Sequence, residues 1–557
     1  MKPLFACLPL FLGAGLWGAD PSVAPALNAI SGASIRHHTA VLSSDDFEGR
    51  APGTAGEDKT VAYLESEFRR LGLAPGNSNG TYIQAVPMVG LTSKPVMSFA
   101  IGGQTLTPTF FNDFVANSRH VTGHVEVKDS DLVFVGYGVV APEYGWDDYK
   151  GVDLHGKTVV MLINDPPIPD PKDPTKLDPA MFKGKAMTYY GRWTYKYEMA
   201  TERGAAACII VHETGPAAYP WAVVANSWGR ENFDLDSPDG NAGRVPVESW
   251  ITLETAQKLF AAAGKDFATL KRAALNRDFK PVPLPAKLTC SIDSTIRHIN
   301  SRNVLARLAG SDPKLRDEWV IYTAHWDHFG RDPKRQGDQI FNGAHDNASG
   351  TSVLLELAQA FKALPVAPKR SVLFIAVTGE EQGLLGSRHY ALNPIYPLRR
   401  TLANINMDGA QFIGRSRDLE SIGYGGSTID DLAAAELAAE GRVLVPDGDP
   451  GRGAFFRSDQ FEFAKVGVPA FYTHYGTDII GKPAGYGAEK RDDYIANFYH
   501  KVTDEIQPWW DFEGAAEDTR TLFKIGYDIA NGDRWPEWKS GSEFKARRDE
   551  MMKQPER

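Results

Sequence analysis

The chain has 557 residues, above the size at which one hydrophobic core stops growing, so more than one domain is expected. Apolar residues at 43%, charged residues at 23% and aromatics at 11% are those of a folded globular chain and exclude disordered, collagen-like or coiled-coil classes. A formal charge of -10, from 60 Lys+Arg against 70 Asp+Glu, repels polyanions, so no nucleic acid or anionic membrane surface is expected as a partner.

In chain order, Met1 to Ala19 (MKPLFACLPLFLGAGLWGA) has an early Lys, an apolar run and then small residues, the layout of a secretory signal peptide. The run is shorter than the roughly 20 apolar residues that span a bilayer, and no later stretch is long enough, so no membrane span is expected after signal cleavage. The mature protein is expected to be secreted or periplasmic. Cys7 would leave with the signal, and Cys208 and Cys290 could then pair. Three cysteines without C-x-x-C spacing make neither a disulfide framework nor a zinc ribbon.

From Ser43 to Leu73 a polar, Gly/Pro-broken loop leads into an amphipathic helix with Val61, Leu64, Phe68 and Leu71 on one face. Residues 20–85 are read as the first part of the catalytic domain. Residues 86–285 change character, to short β-rich runs such as LVFVGYGVV, KTVVMLI and AACIIVH between Pro- and Asp-rich loops, and are read as an inserted domain. Residues 286–532 alternate strand-like runs (VIYTAH, SVLFIAV, LANINM, PAFYTH) with helical ones such as SGTSVLLELAQAF. That alternation predicts an α/β fold, a mixed central sheet flanked by helices, with functional loops at the carboxyl ends of strands. Residues 533–557 are charged and are expected to be a solvated tail.

Several motifs fail on inspection. Gly476 to Lys482 fits G-x-x-x-x-G-K, but Pro483 stands where a phosphate loop needs Ser or Thr. Gly136, Gly138 and Ala141 imitate a dinucleotide fingerprint, yet Pro142 and Gly145 follow where a helix should start. There is no H-E-x-x-H and no G-x-S-x-G.

What remains is a set of acids and an imidazole at strand ends: His325, Asp346, Glu380, Glu381 and Asp408. Singly, each could be a cap or turn residue; Asp346, Asn347 and Ser349 could simply cap the helix that follows. Jointly, on successive strands of one sheet, they open on one crevice, and a crevice so crowded with carboxylates is costly without cations. Carboxylate oxygen and imidazole nitrogen are zinc ligands, and a bridging carboxylate can hold two ions.

These residues, with the wider pattern His325-x-Asp327, Gly343-x-x-Asp346-Asn347-Ala-Ser-Gly350, Glu380-Glu381, Asn406-x-Asp408-Gly and Tyr499-His500-x-x-x-Asp504, resemble the M28 co-catalytic zinc peptidases in order and spacing. The resemblance extends to SSDDFEGRAPGTAG, to Ser458-Asp459 before GVPAFY, and to an insertion similar to a protease-associated domain. It implies the zinc-exopeptidase fold, two Zn²⁺ per chain and peptide substrates. It also implies roles: Asp346 bridging, His325 and Asp408 completing one site, Glu381 and His500 the other, and Glu380 as general base. His500 is selected over the equally strand-terminal His474 by the resemblance alone. Asp327 is expected to accept the second N–H of His325 and fix its tautomer. Tyr475 or Tyr472 could donate to the oxyanion. His345 stands where many relatives carry Asp; it is expected to point away from the ions or to solvent. His328 is expected to be a loop residue, and Asp346-Asn347 a cis peptide.

The favoured activity is that of an aminopeptidase on short peptides. The alternatives are a carboxypeptidase of the same family, which Arg452 and Arg457 would suit by holding a substrate carboxylate, and a single-zinc glutaminyl cyclase-like acyltransferase. A catalytically dead receptor would lack ligands, and none is missing. The sequence assigns no oligomeric state.

Overall fold

The computed structural model describes residues 22–554. The signal-like segment and Cys7 lie outside the described residues.

Three strands whose residues are all buried form the centre of the catalytic half: Trp319–His325, Ser371–Val377 and Thr401–Met407. The first two are mostly apolar runs, as parallel strands covered on both faces require, and the third buries Asn404 and Asn406 by hydrogen-bonding them to Thr323 and Ser458. The first runs parallel to the other two, and Thr401–Met407 runs parallel to Ala470–Tyr475, so all four carboxyl ends open at one edge. Helices Gly350–Ala363 and Glu513–Asn531 pack against these strands, and helix Gly32–Leu42 packs on those two helices. Glu513–Asn531 comes close enough for the Tyr322 hydroxyl to donate to Leu522 O at 2.9 Å. A Cβ at Gly526 would lie 1.7 Å from that hydroxyl oxygen, so only glycine fits there. Helix Ala55–Arg70 buries Val61, Leu64 and Phe68, as its apolar stripe predicts.

The sheet does not stop at the catalytic half. Its order runs Val443–Pro446, Asp418–Ser421, Ala470–Tyr475, Thr401–Met407, Trp319–His325, Ser371–Val377, Val282–Leu308, His124–Phe134, Thr158–Leu162, Ala207–His212, Val247–Thr252, Phe114–Asn117. Strand Val282–Leu308 is the hinge of this arrangement. It pairs with Ser371–Val377 near its carboxyl end and with His124–Phe134 near its start. It also pairs antiparallel with Ile83–Ile101, from Lys287↔Ala100 to Val304↔Ile83. The expected boundaries at 86 and 285 therefore fall inside paired strands. Two separate apolar cores nevertheless stand on either side, one drawn from residues 97–292 and the other from residues 23–530.

The insertion is rich in strands, as expected, and carries helices as well: its strands His124–Phe134, Thr158–Leu162, Ala207–His212 and Val247–Thr252 are parallel, with helices Trp193–Glu202 and Leu253–Ala262 beside them. Ala256, Leu259 and Phe260 give the second helix its buried stripe. By contrast, the charged C-terminal stretch is not the solvated tail expected. Trp538 and Phe544 are buried with Phe456 and Phe461, and helix Lys545–Lys553 follows. Two large aromatic rings outweigh the flanking charges, since each contributes about 2 kcal/mol or more on burial. Cys208 and Cys290 are both buried and free. Among the described residues no helix is long and apolar enough to cross a membrane.

Candidate metal centre

His325 ends its strand with Nε2 3.2 Å from Asp408 Oδ1 and 3.4 Å from Asp346 Oδ1. His500, on a backbone with φ 58°, places Nε2 3.1 Å from Asp346 Oδ2 and 3.4 Å from Glu381 Oε2. The two oxygens of Asp346 thus face two different imidazoles. Glu380 offers an oxygen close to both His325 and Asp408. His325, Asp346, Glu380, Glu381, Asp408 and His500 are therefore gathered at one place. His474 turns its two nitrogens to other partners, Nε2 2.7 Å from the Tyr472 hydroxyl and Nδ1 3.8 Å from Glu420 Oε2.

The local structure explains how each is held. The Asp346-Asn347 peptide is cis. Asn347 Oδ1 accepts from Gly350 N and Gly409 N, both at 2.9 Å, and its Nδ2 donates to Met407 O. It is Asn347 that caps the helix, which leaves Asp346 free to face the histidines. Asp504, the last residue of the Tyr499-His500 pattern, accepts the N–H groups of His345 and Asp346 at 3.2 and 3.1 Å. Gly343 precedes this segment with φ 55°, and a Cβ there would lie 2.3 Å from Asp346 O.

Asp327 acts differently from expectation. Its backbone carbonyl, not its carboxylate, is 3.2 Å from His325 Nδ1; the carboxylate oxygen lies at 3.8 Å. The carboxylate instead accepts the N–H groups of Glu380 and Glu381 at 3.1 and 3.4 Å. Asp327 therefore positions the Glu-Glu turn. His328 is no idle loop residue either. Fully buried, it has Nδ1 2.6 Å from Glu381 Oε1, so the two oxygens of Glu381 are divided between His328 and His500. His345 is buried rather than solvent-facing, with Nε2 3.1 Å from Ala410 O and its ring among Phe412, Tyr475 and Tyr494. Tyr475 is thus on that far side, whereas Tyr472 is buried near the acids.

Arg50 was not singled out in the sequence, although it lies in the quoted SSDDFEGRAPGTAG segment. It is fully buried and donates to Trp326 O, Leu42 O, Asn342 O and Gly343 O at 2.6–2.9 Å. These bonds tie the loop after His325 to the turn before Asp346. Burial lowers its pKa to about 10, against the opposing pull of Asp504, Asp327, Asp346 and Glu381, so it stays cationic at neutral pH.

The electrostatics are those of a site that lacks positive charge. Burial alone would lower the His325 imidazole, but Asp408 and Glu380 push it well above its ordinary value. His500 rises to about 9, with Glu381 and Asp346 overriding the opposite effect of burial. Burial, aided by Asp408 and Glu381 against His325, raises Glu380 well above the carboxylate range. The donors suit zinc: at bond lengths of about 2.0 Å a tetrahedral zinc has ligand-to-ligand edges of about 3.3 Å. The four imidazole-to-carboxylate distances, 3.1–3.4 Å, are such edges.

With this geometry in place, residues 303–520 match the model of Peptidase family M28. The chain is 41% identical over 90 residues to Aminopeptidase YwaD of Bacillus subtilis (strain 168), covering 16% of the chain and 17% of that relative. It is 37% identical over 120 residues to a Probable zinc metalloprotease of Pyrenophora teres f. teres (strain 0-1), covering 21% of the chain and 24% of the relative. Against Carboxypeptidase Q of Xenopus laevis the identity is 25% over 234 residues, 41% of the chain and 39% of that protein. The matches thus span well under half the length of these relatives. Among solved structures, an aminopeptidase from Aneurinibacillus sp. strain AM-1 aligns over 92% of the chain and 97% of its own, with 19% identity and a TM-score of 0.49.

Proposed function

We propose that this chain is an exported zinc exopeptidase, an aminopeptidase on short peptides that works with two zinc ions. The observation that carries the reading is Asp346, which turns one oxygen to His325 and the other to His500 at zinc-like ligand spacing. His325, Asp408 and Asp346 would hold one ion, and Glu381, His500 and Asp346 the other. When bound, the ions acidify a water molecule and polarise the scissile carbonyl.

The chain supplies the proton chemistry. Glu380 is the base: its carboxylate lies beside His325 and Asp408, where an Oε atom can take a proton from the water and return it to the leaving amine. Asp327 fixes the backbone of Glu380 beside that of Glu381, which keeps the base next to the ligand set. Arg50 offsets part of the negative charge and holds the two loops together. Export rests on Met1–Ala19 as read from the sequence.

The test combines metal analysis with end-group kinetics. Two zinc ions per chain and cleavage of aminoacyl-anilides are expected. One zinc with a cyclised product would reject the peptidase reading in favour of an acyltransferase, and cleavage that persists after blocking the amino terminus would replace aminopeptidase by carboxypeptidase.

A further inference from the structure

Two arginines where the insertion meets the catalytic half have no anionic partner. Arg457 is exposed, and its guanidinium lies 5.9 Å from the ring centre of Tyr219 in the insertion. Arg192, also from the insertion, precedes helix Trp193–Glu202; its Nε is buried and donates to nothing. Among the described residues neither side chain makes an ion pair or a hydrogen bond to a carboxylate. The neighbouring arginines differ. Arg452 pairs with Asp449 at 2.7 Å, and Arg388 pairs with Asp234. Arg452, expected with Arg457 to meet a substrate carboxylate, is thereby accounted for. Arg457 is not.

The pair is also close in space and close to the reaction. Arg192 feels Arg457, and burial together with that like charge lowers it to about 10. Tyr219 is near both. Arg457 is followed by Ser458, whose Oγ accepts from Asn406 Nδ2 at 2.8 Å, two residues before Asp408 on the same chain segment. Next comes Asp459, whose buried carboxylate is within the electrostatic reach of His325 and Asp408. Arg457 thus directly precedes two residues packed beside the metal centre, and the insertion brings Arg192 to it. Two like charges with no counter-ion, one of them half-buried, are costly unless an anion arrives, and planar guanidinium groups match carboxylates in a bidentate fashion.

We propose that Arg457 and Arg192, walled by Tyr219, bind a carboxylate of the peptide substrate, either an acidic side chain or a free C-terminus beside the cleaved bond. This rests on the peptidase reading and gives the insertion a part in substrate selection. The bland reading, two cations merely stacked on Tyr219 and Trp193, predicts no selectivity for charge.

The experiment uses the zinc-loaded full chain and four dipeptides: Ala-Glu-amide against Ala-Gln-amide for the side chain, and Ala-Ala against Ala-Ala-amide for the terminus. Wild type, Arg457→Gln and Arg192→Gln are compared by the ratio of kcat/KM within each pair. Wild type is expected to favour the charged member of one pair, the pair naming the source of the carboxylate. Both variants are expected to reduce that ratio about tenfold or more, mostly through KM, the usual size for a lost charge-assisted contact. A wild-type ratio near one in both pairs, or a ratio that neither variant changes, overturns the proposal while leaving the peptidase reading intact. Failure to cleave any of the four overturns both.

Discussion

Asp346 turns its two oxygens to two different imidazoles, so its replacement separates ion binding from folding. In Asp346→Asn one oxygen becomes an NH₂ group, which cannot ligate a cation, while the shape is kept. Bound zinc is expected to fall from two per chain to one or fewer, read by metal analysis after dialysis, with the far-ultraviolet spectrum unchanged. Glu380→Gln is expected to behave oppositely, retaining both ions and losing about 10²–10⁴-fold in kcat through loss of the proton acceptor. If zinc is lost instead, Glu380 is a ligand, a role its closeness to His325 and Asp408 allows. His325, Glu380, Glu381 and Asp408 were legible in the sequence because chemically conspicuous side chains follow strands closely, whereas His500 follows no strand and was picked out by the resemblance alone. Their supports were not. Whether Asp327 offers its carbonyl or its carboxylate depends on a loop torsion, and Arg50 meets its four carbonyls only after segments nearly 300 positions apart have come together.

The same limit holds for elements. Strands such as Ser371–Val377 declare themselves as apolar runs, and helix Gly350–Ala363 by its pattern. The long pairing of Ile83–Ile101 with Val282–Leu308 does not, because much of it is polar and partly exposed. One element contact has a measurable consequence. Arg388 lies on helix Leu385–Leu392, which follows the Glu380-Glu381 turn, and pairs with Asp234 on the insertion's strand Asn232–Leu235. Arg244 is 3.1 Å and Arg119 4.0 Å from the same carboxylate. Burial pushes Asp234 upward, but Arg388, Arg244 and Arg119 together hold it well below the ordinary carboxylate value. Its contribution is therefore present above the unfolded pKa and lost as pH falls through the folded one. Arg388→Ala is expected to cost about 2–3 kcal/mol in urea unfolding at pH 7, because most of a buried ionic contact is removed. The control Arg452→Ala removes an exposed pair and is expected to cost well under about 1 kcal/mol. Equal costs would mean that the Asp234 cluster is no more than a surface arrangement.

At the scale of the whole molecule, two apolar cores share one sheet, and they should respond to different variables. Zinc would bind only the catalytic core. Saturating it to 100 times Kd stabilises a folded unit by about 2.7 kcal/mol, and chelation withdraws that contribution. The insertion instead answers to protons. Burial raises Asp148 to about 6 and Asp165 to about 7, well outweighing the donors from Val139, Trp146 and Thr188 that pull the other way. The folded insertion thus keeps two protons that the unfolded chain releases near pH 4. Their contribution is fully present below the unfolded carboxylate pKa and is lost as pH rises through 6 and 7. Lys196, lowered by burial to about 8, titrates above that window and does not reverse the slope. Scanning calorimetry is expected to resolve two transitions, of which only one moves with chelator, while the other is insensitive to chelator and lowered as pH rises from 5 to 7.5. A single transition displaced as a unit by both treatments would show that strand Val282–Leu308, shared by the two halves, couples them into one cooperative body.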